Sequence, residues 1–86
     1  MLNSQFANSQ AQVFADNAVA AAGADPAGRV SYVLRRVLQR EPTAAEIDRG
    51  VKFVGTLVAE HQLTAEQALT LWCLAVLNSN EFLYLD

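Results

Sequence analysis

The stretch LQREPTAAEI, residues 38–47, decides how this chain divides into helices. Pro42 cannot continue a helix, and the residue before a proline is biased away from helical geometry, so one helix must end here. Thr43 and Glu46 follow with the spacing of a capping box, in which the hydroxyl and the carboxylate each accept a hydrogen bond from a free amide at the helix start. The stretch therefore predicts the end of one helix and the start of the next.

The helix that follows Thr43 is predicted to bury one apolar stripe. Its members are Ile47, Val51, Val54 and Val58. Gly50 and Gly55 lie inside this helix at a cost of roughly 1 kcal/mol each relative to alanine, so we interpret both as points of close helix contact. Phe53 falls off the stripe and indicates a second contact surface.

Two helices are predicted before Pro42. Asp25 as N-cap and Pro26 at the first helical position begin the second, and Asn3 or Ser4 caps the first, which Gly23 ends. In the second helix the predicted buried residues are Val30, Val33, Leu34, Val37 and Leu38. In the first they are Phe6, Val13, Phe14, Ala18 and Ala21.

A fourth helix begins with a second capping box, Thr64 with Gln67, and runs almost without polar residues to Asn78. Because a helix that is apolar all round must be covered all round, it is predicted to be the centre of a bundle or half of an interface. Asn78 or Ser79 is predicted to close it and to cap a short final turn. That turn would dock the apolar residues Phe82, Leu83, Tyr84 and Leu85.

These segments predict an all-α fold in which residues 1–86 form a single domain: a small bundle of about four helices with a short docked C-terminal turn. Aromatic residues are its candidate interaction residues, although aromatics at helical spacing in so small a domain are more typical of a core. The candidates are Phe53, Trp72, Phe82 and Tyr84.

The charge of the chain argues against a nucleic-acid partner. Its 86 residues include six Lys and Arg against nine Asp and Glu, a net charge of -3, whereas binding phosphates requires a clustered basic face. Four arginines do fall close together, and we interpret them as a solvated helix face rather than a phosphate or acidic-partner site. They are Arg29, Arg35, Arg36 and Arg40. No run approaches the roughly 20 apolar residues of a membrane span.

The residues of catalytic and metal sites are sparse. Cys73 is the only cysteine, so neither an internal disulfide nor a zinc cluster can form, and its apolar surroundings predict a buried thiol. His61 is the only histidine and is interpreted as a helix terminus rather than a general base or metal ligand. We expect no cofactor, no metal and no enzymatic activity.

Three motifs carry a resemblance to a known family. They are LNSQF at residues 2–6, LQREPTAAE at 38–46 and LNSNEFLY at 77–84. Together they resemble the C-terminal segment of the planctomycete surface domain, a bacterial domain of unknown function in large surface or secreted proteins that often also carry cytochrome-c-like domains. The closing motif is the most specific, whereas the middle one is shared with other helical repeats.

The resemblance implies that the chain is the C-terminal fragment of a larger protein and that its location is extracytoplasmic or at the cell surface. The expected function is a non-catalytic helical packing or interaction module, which contacts the remainder of the parent protein or a protein partner and also forms a weak homodimer. The alternative is an accessory domain of a haem-linked redox or electron-transfer protein, with His61 or the Trp72 region facing a haem carried elsewhere.

Overall fold

The computed structural model of the protein describes residues 4–78, with their side chains from residue 8 onward. The described chain is all-α, as predicted, and forms a small bundle of four helices. They are α1 (Ser4–Ala22), α2 (Pro26–Leu38), α3 (Ala44–His61) and α4 (Ala65–Asn78). The predicted docked turn, with Ser79, Phe82 and Tyr84, lies outside the described residues, as does the side chain of Phe6.

Both predicted capping boxes are confirmed. At the start of α3 the Glu46 amide donates to Thr43 Oγ1 over 3.1 Å, and the Thr43 amide donates to Glu46 Oε1 over 2.8 Å. At the start of α4 the same reciprocal bonds join Thr64 and Gln67, each over 3.0 Å. The stop at Gly23 is also confirmed, because its φ of 64° is left-handed and its amide bonds to the carbonyl of Val19.

The predicted cap at Asp25 is correct in position but wrong in mechanism. Asp25 precedes Pro26 with extended backbone geometry, and its carbonyl accepts the first helical hydrogen bond from the Arg29 amide. Its carboxylate makes no capping hydrogen bond. The carboxylate lies over Gly28 instead, where an added Cβ would come within 2.9 Å of Oδ2. The backbone and Pro26 therefore define this helix start without a side-chain cap.

Removing either capping hydroxyl is expected to cost about 1 kcal/mol of stability, because Thr43→Ala or Thr64→Ala leaves one helix-start amide without its acceptor. Thr43→Ser and Thr64→Ser keep the hydroxyl and should recover most of the loss. Thr56→Ala, at an exposed site within α3, is the matched control and should stay within about 0.5 kcal/mol. Urea unfolding of the five variants measures these differences; equal losses at Thr43, Thr64 and Thr56 would contradict the capping assignment.

The helices pack around α2 and α4. Helix α1 lies against α2 and α4, α3 lies against the same two helices, and α2 touches α4 between them. Among the described residues α1 and α3 make no contact. The fully buried core combines one face from each of α1, α2 and α4, and its members are Ala11, Ala15, Ala18, Val30, Val33, Leu34, Leu69, Trp72, Cys73 and Val76.

Helix α1 buries part of the predicted face, because Ala18 is fully buried and Phe14 packs against the core. The other buried residues are Ala11 and Ala15, whereas Val13 is 53% exposed and Ala21 also lies in solvent, so the prediction is wrong for those two. Alanines are spread around α1, so the larger side chains dominate any stripe that is derived from hydrophobicity. The small face is the one that lets α1 approach α2 and α4 closely. The α2 stripe is confirmed, with Val30, Val33 and Leu34 fully buried.

The two glycines of α3 differ. A Cβ added at Gly50 would lie 2.6 Å from Val30 Cγ1 and 2.9 Å from Trp72 Cζ2, so Gly50 is the predicted point of close helix contact. Gly55 is not, because a Cβ there would meet no atom within 4 Å. The absence of a side chain at Gly55 leaves open space beside α3, and that space is part of the groove described next.

Candidate interaction site

An apolar groove of about 270 Å³ runs between the second half of α3 and the first turns of α2 and α4. We call it the valine groove. It is lined by Ala24, Pro26, Arg29, Val30, Val51, Val54, Gly55, Val58, Ala65 and Leu69. Val51, Val54 and Val58 are the last three members of the stripe predicted to be buried, yet Val58 is 38% exposed. Val51 and Val54 also pack against the core, whereas Val58, at the end of the stripe, is exposed in the groove.

The rim of the valine groove carries one cation. Arg29 is buried, and its Nε donates a hydrogen bond to the carbonyl of Gly23. One terminal nitrogen lies 3.7 Å from the carboxylate of Glu66, which is largely exposed. Because the guanidinium is held by these two groups, it closes one end of the groove without leaving an isolated charge. The surface that remains available is mainly aliphatic.

A second, smaller groove of about 90 Å³ lies between α3 and α4. We call it the Phe53 groove, and it is lined by Arg49, Gly50, Phe53, Trp72, Ala75 and Val76. Phe53 is 44% exposed there, as its position off the stripe indicated. Trp72 is only 2% exposed and belongs to the core, so the prediction that it is an interaction residue is corrected. Its bulk fills the space that Gly50 leaves between α3 and α4.

Helix α4 is not covered all round. Ala68, Leu69, Trp72, Cys73 and Val76 form its buried side, whereas Leu71 is 44% exposed. Leu71 lies in an open depression beside Gln12 of α1 and Thr70. The described helices therefore do not cover α4 all round as the centre of a bundle, because α1 buries its small alanines and leaves the Leu71 side open. The alternative, that α4 forms half of an interface, stays a prediction.

The joint between α2 and α3 holds a charged cluster. Arg40 donates two hydrogen bonds to the Glu46 carboxylate, over 3.0 and 2.9 Å, and Glu46 also serves the Thr43 amide. The bonds from Arg40 and from the Thr43 backbone lower the pKa of Glu46 from 4.5 to about 2. These three residues belong to the middle motif of the sequence, and their mutual bonds give them a structural role.

The arginines interpreted as a solvated face are mostly engaged within the chain. Arg29 is buried, which corrects the prediction for that residue, whereas Arg40 is half exposed and binds Glu46. The other two are exposed but also have intramolecular contacts. Arg35 pairs with Glu41, and the Arg36 guanidinium lies 5.0 Å from the centre of the Tyr32 ring.

The remaining reactive residues do not converge on one site. Cys73 is buried, as predicted, and burial raises the pKa of its thiol to about 12. His61 is the exposed last residue of α3 and lines neither the valine groove nor the Phe53 groove. Within the described part of the chain, no three His, Cys, Asp or Glu residues are grouped as metal ligands.

Asn78 is the last residue of α4, and its side-chain amide donates to the carbonyl of Leu74 over 2.9 Å. That bond joins the Asn78 side chain to the last turn of α4, whereas the predicted role of Asn78 as cap of a further turn concerns residues outside the described range. Among the described helices, none combines the length and the apolarity that crossing a membrane requires.

Sequence reasoning missed the valine groove. A signal was present, because α3 has 18 residues whereas α2 has 13 and α4 has 14. Two shorter neighbours cannot cover the whole stripe of a longer helix. Gly55 at the uncovered end was a second signal.

Comparison of the chain with protein-family models, with curated proteins and with solved structures gives no match.

Proposed function

We propose that this chain is a non-catalytic interaction module of a larger bacterial surface or secreted protein, and that the valine groove is its docking face. The observation that supports this most directly is the uncovered end of the α3 stripe. There Val58 is 38% exposed, and the space beside Gly55, which has no side chain, is open. Contiguous exposed apolar surface is typical of protein contact sites. The remainder of the parent protein, or a separate protein partner, would cover it.

The size and lining of the groove favour a protein partner over a small molecule. Its volume of about 270 Å³ is at the lower end of the roughly 300–1,000 Å³ range of small-molecule pockets. Val51, Val54 and Val58 are spaced along one helix face, which suits an apolar helix that inserts anchor side chains at i, i+3, i+4 and i+7. Because Arg29 is already engaged at the rim, the proposed partner surface is apolar and not strongly acidic.

The resemblance to the planctomycete surface domain supports the rest of the proposal. Its middle motif includes Arg40, Thr43 and Glu46, and these residues bond to one another at the joint. A motif whose residues form hydrogen bonds with one another is compatible with a packing module. Two parts of the proposal rest on that resemblance: that the location is extracytoplasmic, and that the chain belongs to a larger protein.

Methyl NMR of the full chain tests the docking face. The probe is a synthetic amphipathic helix with leucine at positions i, i+3, i+4 and i+7. Titration is expected to shift the methyl resonances of Val54 and Val58 to saturation, with no effect on exposed Val13 of α1. Val58→Lys should abolish the shift of the Val54 methyl resonances, because it places a charge in the apolar groove.

Thr56→Lys is the matched control, because it adds the same charge to α3 at an exposed position that does not line the groove. It should leave the titration unchanged. Gly55→Ala should weaken it by narrowing the groove. Absence of any shift in Val54 and Val58 at millimolar peptide, in a chain whose spectrum shows it to be folded, would refute the valine groove as the docking face.

A weak homodimer is a further proposal, supported by the exposed residues Phe53 and Leu71. We expect sedimentation equilibrium to show self-association only at high concentration. Leu71→Ser or Phe53→Ser should reduce it, according to which surface is used. A strict monomer at millimolar concentration would exclude this association.

A further inference from the structure

We propose that the exposed side of α3 binds a second copy of this chain in an antiparallel pair, with Arg49 of each copy facing the partner's Glu60. The inference rests on the weak homodimer of the proposed function and gives that dimer a surface and an orientation. It does not involve the valine groove. Three observations carry it: the alignment of four exposed residues, the charges at the two ends of their row, and the symmetry of their spacing.

Four exposed residues of α3 form one row along the helix. Arg49, Phe53, Thr56 and Glu60 are spaced at i, i+4, i+7 and i+11, which places them on one helix face over about three turns, or roughly 16 Å. All four are exposed, and Phe53 is 44% exposed. We call this set the outer row of α3. The described helices leave it open to a partner.

The two ends of the outer row carry opposite charges that remain unpaired within the fold. Among residues 8–78, neither Arg49 nor Glu60 belongs to an ion pair. The other Asp, Glu, Lys and Arg residues of α3 are paired within the chain, Glu46 with Arg40 and Asp48 with Lys52. One free cation and one free carboxylate are therefore available to a second molecule on the same face.

The outer row is symmetric about its midpoint. Phe53 is four residues from Arg49, and Thr56 is four residues from Glu60. When two copies pair antiparallel, each Arg49 therefore faces the partner's Glu60, and each Phe53 faces the partner's Thr56. Parallel pairing would place arginine against arginine and glutamate against glutamate, and like charges disfavour that contact. The charges thus select an antiparallel pair with two-fold symmetry.

The exposed surface around Leu71 lacks this complementarity. Among the residues that line its depression, Glu66 is the charged one, and its carboxylate already lies 3.7 Å from Arg29. Two copies that met there would gain no new ion pair. The outer row offers one aromatic side chain from each copy and two ion pairs. Because exposed ion pairs contribute little each, association is expected only at high concentration.

Charge reversal tests the pairing. Sedimentation equilibrium at low salt, up to millimolar concentration, compares the full chain with Arg49→Glu, Glu60→Lys and the double variant. Each single reversal replaces two attractive pairs with two repulsive ones and should weaken self-association by about tenfold or more. The double variant re-forms both pairs with the charges exchanged and should recover to within about threefold. An equal mixture of the two single variants should associate more strongly than either alone, because both pairs are attractive in their heterodimer.

Asp16→Lys is the matched control for Glu60→Lys. It makes the same change of charge at an exposed position of α1, a helix that does not contact α3 among the described residues, and should change self-association by less than about twofold. A strict monomer would overturn both the homodimer and this inference. Association that the single reversals leave unchanged, or that the double variant and the mixture fail to restore, would overturn the antiparallel pairing alone. The peptide titration of the valine groove tests the docking face separately.

Discussion

Glu46→Ala is expected to destabilise the chain by about 2 to 3 kcal/mol, because its carboxylate serves both a helix start and an ion pair. The substitution removes the acceptor for the Thr43 amide, a capping loss of about 1 kcal/mol. It also removes both hydrogen bonds from Arg40. Bonds to charged groups contribute about 1.5–3 kcal/mol, and we take the lower end because Arg40 is half exposed. Urea unfolding at neutral pH measures the loss.

Two variants separate the contribution of the Thr43 cap from that of the charged pair with Arg40. Glu46→Gln keeps an oxygen for the Thr43 amide but loses the charge, so it should lose about half as much stability. Glu41→Gln removes the carboxylate of an exposed pair, Arg35 with Glu41, and should change stability by less than about 0.5 kcal/mol. If Glu41→Gln were as damaging as Glu46→Ala, the special role of the joint would be contradicted.

The same residue predicts a dependence on pH. The pKa of Glu46 is lowered from 4.5 to about 2 in the folded chain, so the carboxylate stabilises the fold fully above pH 4.5. That contribution is lost as pH falls from about 4.5 to about 2. Glu46→Gln should therefore flatten the acid limb of the stability profile. Thr64→Ala alters a box whose partner, Gln67, does not titrate, and should leave the shape of that limb unchanged.

Gly50→Ala is expected to destabilise the chain by about 2 kcal/mol, whereas Gly55→Ala should stabilise it by about 0.5–1 kcal/mol. Both substitutions gain up to about 1 kcal/mol of helix propensity. At Gly50 the new methyl would lie 2.6 Å from Val30 and 2.9 Å from Trp72, and the required movement of buried side chains exceeds that gain. At Gly55 no atom lies within 4 Å of it.

The two glycines form a matched pair, because they lie in the same helix and receive the same methyl group. Thermal and urea unfolding of the two variants should give shifts of opposite sign. Trp72 contacts the methyl added at Gly50, so its fluorescence should change in Gly50→Ala and not in Gly55→Ala. Stabilisation by both substitutions would show that α3 and α4 are not in close contact at Gly50.

The sequence by itself determined where the helices begin and end. Gly23, Pro26 and the two threonine boxes act on groups within three or four residues of themselves. Their hydrogen bonds and steric limits are therefore visible in the order of residues. The α2 stripe was predictable for a related reason: bulky valine and leucine side chains on one face leave only one side to bury.

Only the tertiary structure decided which faces meet. In α1 the fully buried residues are alanines, since small side chains allow two helices to approach closely. Alanine is only weakly hydrophobic, so this face is difficult to recognise in the sequence. Gly50 and Gly55 have the same local preference, yet only Gly50 faces Val30 and Trp72, two residues from other helices. Arg29 is buried because Gly23 and Glu66 converge on it. The valine groove likewise requires α2, α3 and α4 together, because its shape depends on where three helices end relative to one another.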